Sequence, residues 1–210
     1  MKPFVAPALF GLACLAAPVA FGAAPDPDAW KVVAQADAGA DNGGEAAEAA
    51  PSADEPLPPI VRDELELPAP VREMRQKLIE AAKAGDIERL RALMQAQAEP
   101  PFVSFGDPGD PIEYLKALAA DAEGREILAI LLEVLESGFV HVGEGTSEEQ
   151  FVWPYFAEYP LGALTSEQLV ELFTLVTAAD YEDMKSYGAY TFFRVGIAPD
   201  GRWLFFIAGD

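Results

Sequence analysis

The sequence predicts an α+β fold: a helical hairpin, then a small helix-rich domain whose short antiparallel sheet ends in a β-hairpin. Three observations carry this. The run Arg125–Gly138, REILAILLEVLESG, puts seven large aliphatics into the nine positions Ile127–Leu135, and leaves Glu126, Ala129, Glu133 and Glu136 at i, i+3, i+7, i+10 spacing. That spacing draws one narrow wet stripe on an otherwise apolar helix, so other elements must wrap it. Shorter helix-period runs with capping residues lie on both sides of it. Finally, the apolar runs Ala189–Ala198 and Arg202–Ala208 flank Pro199-Asp200-Gly201. Pro presets the first turn position and Gly takes the left-handed one, which gives a three-residue bulged hairpin.

In chain order, Met1-Lys2 and the apolar stretch Phe4–Phe21 read as a secretory signal peptide, residues 1–22, cut after Gly22 or Ala24. Pro7 and Pro18 interrupt the stretch, which argues against a spanning helix. Cys14 is the only cysteine; Gly11 stands where a lipoprotein signal needs a Leu-like residue, so lipidation is not expected. After cleavage no thiol remains, which suits an oxidising compartment. Residues 23–68 are rich in Ala, Pro, Asp, Glu and Gly, and read as a disordered acidic linker. Asp37, Asp41, Asn42 and Glu45 fail as a calcium loop, because Gly39 replaces a ligand and Asn42 stands where the turn glycine belongs.

Residues 69–99 form the hairpin. Val71, Met74, Leu78, Ile79 and Ala82 share one face, Gly85 stops the helix, and Ile87, Leu90, Leu93 and Met94 point inward from the next. The run LIEAAKAGDIERLRAL (Leu78–Leu93) resembles the helix pair of an ankyrin-type repeat, but no second copy follows. A generic αα-hairpin docked on the later domain is therefore expected. Its basic residues, Arg72, Arg75, Lys77, Lys83, Arg89 and Arg91, are expected to face that acidic domain.

Residues 100–210 form the compact α+β domain. Asp110-Pro111-Ile112-Glu113 starts a helix to about Ala120, with Asp as cap and Pro in the first turn. Phe139–Val142 is a short strand, and Phe151–Phe156 a strand broken by Pro154. Thr165 and Gln168 make a capping box, and Asp180 caps a helix Tyr181–Tyr187 that ends at Gly188. In the last strand Trp203, Phe205 and Ile207 face one way, and Leu204 and Phe206 the other. Apolar residues on both faces mean it is covered on both sides. VWPYFAEYPL (Val152–Leu161) and RVGIAPDGRWLFFIAGD (Arg194–Asp210) give this half a resemblance to exported Gram-negative proteins of unassigned function. That resemblance implies export and supplies no activity.

The formal charge of −21 excludes nucleic acid and docking on anionic lipid as expected partners, since both require basic faces. From residue 101 onward there are 19 acidic and 5 basic side chains. His141 is the only histidine, so His-rich metal sites are excluded, and no metal or cofactor is expected. A G-x-S-x-G elbow and an H-E-x-x-H motif are both missing. The binding candidates are Trp153, Tyr155, Phe156 and Tyr159, because Pro154 breaks the strand and can leave rings at a surface beside Glu158. The catalytic candidates are His141 with Glu158, or with Glu144 or Glu148. The expectation is an exported, non-enzymatic interaction module meeting a protein or cell-wall component, without a membrane span once the signal is cut. The alternative is a cell-envelope hydrolase using carboxylates and His141.

Overall fold

The computed structural model describes residues 57–209, which all fall within one compact unit. The expected signal peptide, Cys14 and the linker up to residue 56 lie outside the described residues. The fold class is α+β. Six α-helices are described: α1 Ala69–Lys83, α2 Glu88–Gln95, α3 Pro111–Ala117, α4 Arg125–Glu136, α5 Ser166–Leu172 and α6 Ala178–Tyr187. The sheet is an antiparallel meander in the order β1 Val140–Val142, β2 Gln150–Trp153, β3 Arg194–Ile197 and β4 Trp203–Ile207. Among the described residues no helix is long and apolar enough to cross a membrane.

The strand pleat divides the core between two faces. On one face, Phe151 and Trp153 of β2, Val195 and Ile197 of β3, and Trp203 and Phe206 of β4 join the buried faces of α1 to α4. On the other, Val140 and Val152 join Tyr155, Phe156, Leu172, Tyr181, Met184 and Tyr190, most of them from the segment after β2 and from α5 and α6. α4 is the scaffold of the first cluster. Its Ile127, Leu128, Leu131, Val134 and Leu135 are buried, while Glu126, Ala129, Glu133 and Glu136 are exposed, as the stripe requires. Each buried aliphatic there contributes about 1.5–3 kcal/mol gross of burial.

The hairpin is part of this core and not an addition to a finished domain. Leu78, Ile79, Leu90 and Met94 lie in one cluster with Leu131 and Leu135. The charged seam exists in part: Arg89 pairs with Asp86 inside the hairpin and Arg72 donates to the Leu67 carbonyl, while two other cations reach the later domain. Arg91 grips Asp110 with two hydrogen bonds of 2.6 and 3.0 Å, and Lys83 meets Glu136 at 3.2 Å. Arg75 does something else: its Nε and Nη2 donate to the Leu135 carbonyl at 3.1 and 2.8 Å. That carbonyl is in the last turn of α4, where helix carbonyls lack intrahelical partners and a cation also complements the helix dipole.

Local signals place most of the element ends. Asp110 accepts from the N–H groups of Ile112 and Glu113, and Thr165 and Gln168 form their reciprocal box. Three expectations change. α3 ends at Ala117. α6 begins earlier, because Thr177 is its cap and Asp180 the third helical residue of a second capping box. In β4, Gly196 faces Phe205 while Ile197 faces Trp203, so Leu204 is an extra residue in a β-bulge. The bulge resets the alternation: Trp203 and Phe206 share the first face, and Phe205 packs toward the second.

Residues 57–68, expected to belong to the linker, are docked on the folded unit. Leu67 is buried in the first cluster, and Val61 pairs with Phe139 beside β1.

Candidate functional site

The site forms where α4 runs into β1. Ser137 ends the helix, and Gly138 and Phe139 lead into the strand. Gly138 is a packing requirement. A Cβ there would lie 3.1 Å from the Tyr155 ring, 3.2 Å from Ile60 and 3.4 Å from the Val61 carbonyl. Its absence lets two segments close on the same point. From one side comes the turn Tyr155–Glu158, anchored by the Tyr155 N–H donating to the Gly138 carbonyl at 3.0 Å. From the other comes the segment Pro58–Arg62.

That segment lies across the site as an extended strap. Val61 N–H donates to the Phe139 carbonyl at 2.8 Å, and Phe139 N–H donates to the Val61 carbonyl at 2.9 Å. The Tyr159 hydroxyl donates to the Pro58 carbonyl at 2.7 Å. Ile60 is half-buried against the second core cluster. Arg62 donates to Glu171 Oε2 at 2.6 Å, and its guanidinium sits 5.5 Å from the centroid of the Tyr155 ring.

Glu171, on α5, is the hub. Oε2 also accepts the Tyr155 hydroxyl at 3.1 Å, and Oε1 accepts the Gly138 N–H at 3.4 Å. Burial, reinforced by the negative charge of Glu171, pushes the Tyr155 phenol well above its ordinary range. It therefore stays protonated and remains a donor. Burial also raises Tyr159. The hydrogen bond to Glu171 raises Arg62 further. The result is a fixed cation–carboxylate–phenol arrangement beside an aromatic wall, in which Tyr155 meets Tyr159 edge-on at 5.3 Å.

No protein family, curated protein or solved structure matches this chain.

The candidate aromatic residues do not form the surface expected of them. Trp153, Tyr155 and Phe156 are fully buried. β2 is covered on both faces, and after Pro154 the chain turns inward and sinks Tyr155 and Phe156 into the second cluster. Trp153 faces the first cluster, 5.0 Å from the Phe139 ring, so it takes no part in the site. Tyr159 alone of the four is half-exposed, and it does contact the strap.

The carboxylate that reaches His141 is Glu149, at 2.9 Å, and among the described residues it is the histidine's only hydrogen-bond partner. The ring stacks on Phe151 at 4.3 Å. The other Glu149 oxygen accepts the Gly145 N–H, the main reason its carboxyl lies below the usual range, with His141 second. The pair thus ties down the Gly143–Glu149 loop. Glu158 sits in the turn after β2, and Glu144 and Glu148 are exposed in the loop. Among the described residues no three His, Cys, Asp or Glu side chains converge as a metal ion requires.

Sequence reasoning missed Arg62, Glu171 and the strap. One signal was present: Arg62 is the only basic residue between Lys31 and Arg72. A lone cation in so acidic a stretch marks a point of contact.

Proposed function

We propose that this chain is an exported interaction module. An N-terminal signal delivers it to the cell envelope, and its folded unit meets a partner through the edge of β1 and the surface of Tyr159 and Glu171. One observation carries the reading: the strap Pro58–Arg62 is held as recognition modules hold extended peptides. A main-chain pair adds it at a strand edge, a tyrosine hydroxyl takes a proline carbonyl, an aliphatic side chain enters an aromatic recess, and a carboxylate takes a cation. The hydrolase alternative has less support, since His141 is occupied in holding its own loop.

The test places a photo-crosslinking residue at Tyr159 in the full chain expressed in a Gram-negative cell, with Tyr187, which is 64% exposed, as the control position. Specific adducts with an envelope component from position 159 and not from 187 support the reading. Adducts confined to the chain's own strap overturn it. The mass of the envelope-fraction protein reports export: loss of 22 or 24 residues is expected, and an uncleaved cytosolic chain would refute it.

A further inference from the structure

We propose that the strap is a resident stand-in for the partner, and that the partner is an extended peptide segment of the form Pro-x-(Ile/Val)-x-Arg which displaces it. The proposal rests on the interaction-module reading above and specifies its ligand.

The contacts define each position. The first residue supplies a carbonyl to the Tyr159 hydroxyl and needs no N–H, so proline fits, as Pro58 does. The third is aliphatic, because Ile60 packs on the buried cluster that contains Tyr155, where the absent side chain of Gly138 leaves room. The fourth must offer both N–H and carbonyl to Phe139, as Val61 does. The fifth carries the cation for Glu171, at the position of Arg62. A guanidinium suits this place better than an ammonium, since it pairs with the carboxylate and lies over the Tyr155 ring at once. Charge complementarity favours a cationic ligand again, since residues 101–210 hold 19 acidic and 5 basic side chains.

The strap is built to be releasable. Pro58 and Pro59 have no N–H, so the added strand cannot extend along β1 beyond the Val61 pair. The Arg62 side chain is 56% exposed, where an ion pair contributes little. The next buried anchor is Leu67, so residues 58–62 can leave while the chain stays rooted from Leu67 onward. The opened site would present an unpaired strand edge, a ready template for another chain. As a tethered competitor the strap acts at an effective concentration on the order of mM. For a peptide with an intrinsic Kd on the order of 0.1 mM, that weakens apparent binding about tenfold.

The test uses the full chain and a fluorescent peptide copying residues 57–64, Leu-Pro-Pro-Ile-Val-Arg-Asp-Glu, read by anisotropy. Two strap variants release the site: Ile60→Asp, and Val61→Pro, which removes the N–H donor to Phe139 and restricts the backbone around it. Either one, shown folded by cooperative urea unfolding, is expected to bind the peptide about tenfold more tightly than the unmodified chain. A peptide with Glu in place of Arg should fail on the released protein, and Glu171→Gln, which keeps an acceptor for the Tyr155 hydroxyl, should narrow the gap between the two peptides. A folded, released variant without saturable binding, or one that binds the Arg and Glu peptides alike, overturns the proposal. Loss of the peptide signal with the Tyr159 crosslink intact removes only the ligand class; loss of both removes the interaction reading as well.

Discussion

Glu171→Leu is the perturbation that most sharply tests the geometry of the site. The substitution keeps the bulk of the side chain and removes three acceptor functions. The Tyr155 hydroxyl loses its partner in a residue that is 0% exposed, and an orphaned buried hydroxyl costs about 1–3 kcal/mol. The Arg62 pair, with side chains 56% and 25% exposed, adds roughly 0–1 kcal/mol. The Gly138 bond, at 3.4 Å, is long and adds little. The expected loss is therefore about 2 kcal/mol, most of it from Tyr155. With a urea m-value of roughly 2 kcal/mol/M, the midpoint falls by about 1 M. Trp153 and Trp203, both buried, report the transition by fluorescence. Because the cost comes from an orphan, the double variant Glu171→Leu/Tyr155→Phe should recover about 1 kcal/mol or more, and Glu171→Gln, which keeps an acceptor, should lose less than Glu171→Leu. If Tyr155→Phe gives no recovery, the hydroxyl is not what Glu171 satisfies, and the reasoning fails.

Two further outcomes test the scaffold. A Cβ at Gly196 would come within 2.5 Å of the Phe205 ring, so Gly196→Ala should destabilise by about 1–3 kcal/mol, near the lower end because that ring is half-buried and can shift; Phe205→Leu should relieve it in urea melts, and an unchanged midpoint for Gly196→Ala alone would show that the ring does not cover the glycine. Asp110 is held down to about 2 from the usual 3.8, chiefly by the Arg91 guanidinium and then by the N–H groups of Glu113 and Ile112. A depressed carboxyl contributes stability above its unfolded value and loses it as pH falls through the folded one. Stability should therefore decline from 3.8 toward 2, and Asp110→Asn should flatten that part of the stability–pH curve; an unaltered curve would refute the assignment.

What was legible in the sequence was local. A cap and the N–H it accepts lie within three residues, so Asp110 and the Thr165–Gln168 box could be read directly. Thr177 and Asp180 carry the same reciprocal signal, and naming Asp180 as the cap mistook one half of the box for the other. The stripe on α4 was legible because helix period alone fixes it. The facing of β4 was not, since one extra residue at Leu204 is chosen by pairing with β3 and flips everything after it. The site was least legible of all. Arg62 and Glu171 are 109 positions apart, and the strap has no period of its own; it is ordered by a groove that other elements build. The aromatics around Pro154 drew attention for the right place and the wrong reason. They wall the site from inside, and only Tyr159 reaches the strap.

Two contacts of a single Glu171 oxygen, Oε2, have two physical roles. Toward Tyr155 it faces a buried phenol that water cannot satisfy, and that contact is a requirement of folding. Toward Arg62 it faces a half-exposed guanidinium that water would solvate almost as well, so that contact adds little to stability. An interaction of the second kind still discriminates by charge, because an anionic residue in the same place is repelled by the carboxylate. The fold therefore fixes Oε2 through its buried partner, and that same oxygen meets the cation of whichever segment lies in the groove. The scaffold needs Glu171 whether or not the strap is present, so the groove stays organised when the strap leaves. A docking site held ready by its own core contacts is what a releasable occupant requires.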